Sequence, residues 1–156
     1  MKKIICALIL NLVITEAFLA GAPRAEAALG ETAGSIEADQ KALSTQRHSA
    51  SVHSGYTVHE IDTGSTLVRE YISPSGIVFA VAWNGLTHPD LTQLLGSYAG
   101  EYQEALKRTA PKHGRRRLQV RTNRIVVEKW GHMRNLQGRA YVPELIPAGV
   151  NIDKIK

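Results

Sequence analysis

Ile77-Val78-Phe79-Ala80-Val81-Ala82-Trp83 is an unbroken apolar run, and its reading decides the fold. A run of this length between turn residues reads as a central β-strand covered on both sides, because neither face offers a polar row to water. Strict alternation puts Ile77, Phe79, Val81 and Trp83 on one face and Val78, Ala80 and Ala82 on the other. The second set is small, so that face is expected to let a helix backbone approach closely.

Working outward, two further strands precede the run. Tyr56 to Ile61 is rich in β-forming residues and ends at Asp62-Thr63-Gly64, a hairpin signal. Thr66 to Ile72 follows and closes at Ser73-Pro74-Ser75-Gly76, with proline where a turn wants its fixed φ and glycine at the exit. Upstream, Leu29, Ala33, Ile36, Gln40 and Leu43 fall at helical spacing, and a helix is predicted over 35–47, followed by a polar loop from His48 to Gly55.

Beyond the run, Asn84-Gly85 ends the strand, and Asp90 with Gln93 resembles a capping box. Leu91, Leu94, Leu95, Tyr98, Tyr102, Ala105 and Leu106 then make one continuous stripe, predicting a helix over 91–108. Gly96 and Gly100 lie opposite that stripe. A helix-interior glycine costs about 1 kcal/mol relative to alanine, so either that cost is simply tolerated or something packs closely there, with the N-terminal helix favoured over a second subunit. Leu118 to Thr122 and Ile125 to Trp130 alternate around Thr122-Asn123, and Leu136 to Val142 extends to Pro143. Strands joined by short links pair antiparallel, since parallel crossovers need a helix between them. The expectation is a small single-domain α+β fold, mainly an antiparallel sheet of about six strands, with two helices.

The first 27 residues read as an address and not as structure. Lys2 and Lys3 form a positive n-region, Ile4 to Ile14 an apolar h-region, and Ala25-Glu26-Ala27 a small-x-small cleavage site. Cleavage is expected between Ala27 and Ala28, leaving 28–156; a cut after Ala22 would place Pro23 next to the scissile bond. An uncleaved anchor is the alternative, but Glu16 interrupts it, and a carboxylate near a helix centre costs about 2.5–3.5 kcal/mol on insertion. Export predicts a periplasmic or secreted protein with no stable membrane span after cleavage. The only cysteine, Cys6, leaves with the signal, which removes disulfides, thiol nucleophiles and cysteine-bound metals from the mature chain.

Charge is unevenly placed. Residues 28–106 carry three basic and nine acidic side chains, a net of −6, while residues 107–156 carry thirteen basic and three acidic, a net of +10. Lys107, Arg108, Lys112, Arg115, Arg116, Arg117, Arg121 and Arg124 follow one another with no acid between them. Nucleic acid would be the first partner considered for such a run inside a cell. For an exported chain, an acidic envelope protein or another anionic envelope component fits better. The expected binding set is therefore Lys112, Arg115, Arg116, Arg117, Arg121, Arg124 and Trp130, the last expected to be partly exposed near the basic segment. The bland alternative is a solvated loop neutralised by the acidic half of the same domain.

Catalytic patterns are weak. On a strand His59 and Glu60 point to opposite faces, so with His53 and Asp62 they make no regular metal site, and no metal or cofactor is expected. No Gly-x-Ser-x-Gly elbow occurs. Glu60, Glu70, Asp90 and Glu128 are available to a small periplasmic hydrolase working through carboxylates or histidine, which is the alternative function; Glu70 beside Arg69 reads more simply as a sheet-surface charge pair.

Several segments together resemble a known family. His59-Glu60, Val68-Arg69-Glu70-Tyr71, Val78-Phe79-Ala80-Val81-Ala82-Trp83-Asn84-Gly85, Pro89-Asp90-Leu91, Leu94-Leu95-Gly96, Gly131-His132-Met133, Gly138-Arg139-Ala140-Tyr141-Val142-Pro143 and Pro147-Ala148-Gly149-Val150 are similar to the exported proteobacterial family called domain of unknown function 2844. The resemblance runs from about Leu29 to Val150. Leu86 stands where the family pattern often has proline, which touches only that turn. The resemblance implies an envelope or secreted location and one domain, and it transfers no catalytic residue.

Overall fold

A computed structural model describes residues 28–32, 47–110 and 116–156. Strands β1 (Arg47–His53), β2 (Tyr56–Asp62), β3 (Thr66–Ile72) and β4 (Val78–Gly85) precede the helices α1 (Leu91–Leu95) and α2 (Ala99–Arg108), which a 3-10 turn at Gly96–Tyr98 joins. Strands β5 (Arg117–Arg121), β6 (Val126–His132) and β7 (Asn135–Tyr141) follow, and 3-10 turns at Pro143–Leu145 and Ile152–Lys154 complete the tail. All seven strands form one antiparallel sheet in the order β1-β2-β3-β4-β7-β6-β5. Two hairpin stacks meet along β4 and β7, so the apolar run sits in the middle, as its composition requires.

The turns form for the reasons legible in their residues. Asp62 accepts the N–H of Gly64 at 2.8 Å, Gly76 donates to the carbonyl of Ser73 at 2.9 Å, and both glycines have positive φ. Asp90 caps α1 by accepting the N–H of Thr92 at 2.8 Å. The 48–55 loop expectation is corrected: β1 occupies Arg47–His53, paired along its length with β2. Its Ser, Ala and His residues carry no strand signal alone, and pairing with a β-rich neighbour overrides weak propensity. The helix expected over 35–47 lies outside the described residues, apart from Arg47, which opens β1; the signal segment 1–27 also lies outside them.

A β-bulge corrects the expected faces of the central strand. Tyr71 pairs with Ala80 and Ile72 with Val78, so Phe79 is the extra residue. Val78 therefore joins Val81 and Trp83 under the helices, while Phe79 joins Ala80 and Ala82 on the other face. The small-residue face is covered by the C-terminal tail and not by a helix: Ile155 buries itself there among Val58, Tyr71 and Phe79, with Val150 and Ile152 alongside.

The predicted helix over 91–108 is interrupted at Gly96, whose φ of 50° and ψ of −121° end α1. A β-carbon there would overlap the methyl of Ala28, so the close neighbour anticipated for Gly96 is the segment Ala28–Thr32. That segment bonds Leu29 N–H to Leu94 O at 3.0 Å and Gly30 N–H to Val78 O at 2.8 Å. Gly100 has no described residue within 4 Å of an added β-carbon, so there the cost of glycine is tolerated. Among the described residues no helix is long and apolar enough to cross a membrane.

Candidate functional site: a basic and aromatic cleft

Pairing of β5 with β6 places Arg117 directly opposite Trp130. The two lie on the tail-covered side with Glu128 and Arg139, which are opposite each other across β6 and β7. Arg139 donates from Nε to Glu128 Oε2 at 2.6 Å, and Arg117 donates from Nη2 to Glu128 Oε1 at 3.0 Å. One buried carboxylate thus serves two guanidiniums, only one of them buried: the Arg139 side chain is 11 % exposed and that of Arg117 65 %. Burial pushes the Glu128 carboxyl upward, but the bonds and charges of the two arginines outweigh it and hold its pKa below the usual carboxylate value.

Arg139 also anchors the tail. Its Nη1 donates to the carbonyl of Ile152 at 2.6 Å, and Nη2 lies 3.6 Å from Asp153. Its guanidinium carbon is 5.9 Å from the ring centres of both Trp130 and Tyr141, within cation–π range. The indole N–H of Trp130 donates to Gln137 Oε1 at 3.0 Å, which orients the ring. Arg117, Trp130, Arg139, Asp153 and Lys156 line a cleft of about 380 Å³.

The expected binding set is divided by the structure. Arg117 and Trp130 share this cleft, Trp130 is half-buried as expected, and Arg116 is exposed immediately before β5. Arg121 lines a different cleft of about 780 Å³ between α2 and the β5–β6 turn, with Gly100, Glu101, Glu104, Arg108 and Thr122 among its walls. Arg124 is engaged internally: Nε bonds Glu101 at 2.7 Å, and its guanidinium carbon lies 4.9 Å above the ring of Tyr98. Lys112 and Arg115 lie outside the described residues. Arg117 itself begins β5, one residue ahead of the strand read from Leu118, and is ion-paired.

Sequence reading missed Arg139, the residue that ties cleft, sheet and tail together. Its signals are its place in the family pattern Gly138-Arg139-Ala140-Tyr141-Val142-Pro143 and the company of small and apolar residues there, among which a charge has to find a partner.

The carboxylates of the first hairpins divide by face. Glu60 pairs with Arg69 at 2.6 Å on the tail side, and that bond holds its pKa below the usual value despite partial burial. His59 lies opposite Glu70 on the helix side, so His59 and Glu60 do point apart. Glu70 has no exposed surface. The surface pair expected for Glu70 and Arg69 is therefore corrected, because Arg69 pairs across the sheet with Glu60. Among the described residues no group of three or more His, Cys, Asp or Glu side chains is placed to hold a metal ion.

Neither a curated protein nor a solved structure matches the chain significantly. The family model described as a protein of unknown function, DUF2844, matches residues 25–155. That match spans the sheet, both helices and nearly all of the tail, and the chain belongs to the DUF2844 family.

Proposed function

We propose that residues 28–156 form an exported, non-enzymatic binding module, which takes an acidic partner or anionic envelope component on the basic surface around β5. The observation that carries this reading is the direct opposition of Arg117 and Trp130 across β5 and β6. Glu128 already holds Arg139, so Arg117 can leave it without stranding a buried charge. Arg116 and Arg117, both exposed, then meet an anion beside an aromatic surface. The net of +10 over residues 107–156 supplies long-range attraction to such a partner.

A hydrolytic reading has less support. A general acid needs a raised pKa, whereas Glu60, Glu101 and Glu128 are all held below the ordinary carboxylate value. Glu70 offers a substrate no exposed atom.

Binding is tested with vesicles rich in phosphatidylglycerol and with native envelope fractions. Replacing Arg116, Arg117 and Arg121 by glutamine is expected to weaken sedimentation with both at low salt, and raising salt should weaken the wild type likewise. Undiminished binding by the triple variant refutes the assignment. Export is tested by intact mass: the recovered protein should begin at Ala28, which keeps the docked Ala28–Thr32 segment whole. A membrane species retaining Met1 contradicts the proposed cleavage.

A further inference from the structure

The cleft beside Trp130 combines groups of opposite charge, and this narrows the kind of anion that it suits. Arg139 is already engaged, with Nε on Glu128, Nη1 on the Ile152 and Ile155 carbonyls and Nη2 3.6 Å from Asp153. It sets the wall of the cleft and the place of the indole instead of clamping a ligand. Arg117, by contrast, uses only Nη2 in an ion pair among the described residues, and Lys156 brings a second exposed cation to the same rim. Asp153, with its side chain 86 % exposed, adds a carboxylate acceptor to the lining.

A ligand bearing only anionic oxygens would leave the exposed Asp153 carboxylate without a donor. A ligand that alternates hydroxyl donors with single carboxylates uses every group present. Its carboxylate meets Arg117 and Lys156, its hydroxyls donate to Asp153, and the C–H face of its ring lies on the Trp130 indole. The volume of about 380 Å³ falls in the lower part of the roughly 300–1,000 Å³ typical of small-ligand clefts.

We propose that the cleft lined by Arg117, Trp130, Asp153 and Lys156 is a subsite for an acidic saccharide, with a uronic-acid residue stacked on Trp130. The proposal rests on the anion-binding reading above and names its ligand class. Arg139 and Glu128 are positioning residues within it.

The probe is a short oligogalacturonate, with neutral galactose oligomers and phosphatidylglycerol vesicles run alongside. The chain has two tryptophans, and Trp83 is only 1 % exposed, so a ligand-dependent change in intrinsic fluorescence reports on Trp130. Oligogalacturonate is expected to shift the emission saturably while the neutral oligomers do not. By titration calorimetry, which does not depend on the reporting indole, Trp130→Ala and Arg117→Gln should each weaken that binding at least tenfold, with Trp130→Tyr restoring most of it by keeping a ring in place. Vesicle binding should survive Trp130→Ala. If the vesicles bind and oligogalacturonate does not, or if neutral oligomers bind equally well, the saccharide inference falls and the broader reading stands. If neither anionic probe binds the wild-type protein, both fall. Should Trp130→Ala unfold, Arg117→Gln and Trp130→Tyr carry the test.

Discussion

A β-carbon at Gly138 would fall on the indole of Trp83 and 2.7 Å from the carbonyl of Glu128. The bare backbone there lets Trp83, the largest fully buried side chain among the described residues, press against β7. Trp83 in turn donates its indole N–H to His88 Nδ1 at 2.9 Å, tying β4 to the loop before α1. Gly138→Ala is therefore expected to cost about 1–3 kcal/mol as overpacking in a close-packed core. Gly100 is the opposite case, a helical position with nothing within 4 Å of an added methyl. Gly100→Ala should raise stability by up to about 1 kcal/mol through the lost conformational freedom of glycine. Denaturant midpoints of the two variants must move in opposite directions; movement of both in one direction would show that local space does not decide the outcome.

At the scale of elements, the bulge in β4 does more than distort one strand. By adding Phe79 to the tail face it gives the strand two different surfaces, Val78, Val81 and Trp83 under the helices and Phe79, Ala80 and Ala82 under the tail. Ile155 is buried in the same cluster as Ala80 and Ala82. Phe79 contacts the tail layer from below and packs edge-on to Tyr71 and Tyr56, with ring centres 6.3 Å apart in each pair. Phe79→Ala should cost about 3–5 kcal/mol as a large-to-small change at a fully buried site. Because the tail rests on the same layer, proteolysis of the variant should begin in 146–156. An unmoved melting temperature would mean that this layer carries little of the stability.

For the whole molecule, charge governs stability against pH. Hydrogen bonds from Thr122 and then Arg124 lower the pKa of Glu101, Arg69 lowers that of Glu60, and for Glu128 two arginines overcome the opposing effect of burial. The ordinary value for these groups is 4.5, so their stabilisation is complete above that pH and is lost as pH falls through the lower folded-state values. His88 behaves similarly at a higher pH. Burial, and then the nearby Lys129, depress its pKa below 6.5, so acidification below 6.5 protonates the unfolded chain first and destabilises the fold. Melting temperature should thus be level from pH 7 to 9, decline modestly below 6.5 and fall steeply below 4.5. His88→Gln should abolish only the first decline. A profile for that variant that still falls between pH 6.5 and 5 would place the responsible proton elsewhere. Buried Tyr71, its pKa raised, contributes in the other direction, its stabilisation being lost as pH climbs above 10.0.

What could be read without coordinates was whatever depends on neighbours in the chain. The Ile77–Trp83 run, the Gly64 and Gly76 turns, the Asp90 cap and the Leu91–Leu106 stripe each carry their own physical signal, and six of the seven strands follow from them and from the alternation of 118–142. The family pattern was legible too, since it lies in ordered residues and not in contacts. Tertiary structure decided what depends on residues far apart. A one-residue bulge reversed the faces of β4, because side-chain parity changes with each added residue. Pairing with β2 made a strand of the weakly β-forming Arg47–His53. Glu70 and Arg69 took separate partners because neighbours on a strand face opposite ways. The basic segment, one continuous run in sequence, was divided: Arg117 and Arg121 line two different clefts, and Arg117 and Arg124 found Glu128 and Glu101 across 11 and 23 residues of chain. Arg139 became the centre of the cleft for the same reason: a buried charge is satisfied wherever the fold brings its partner, and no local pattern announces where that will be.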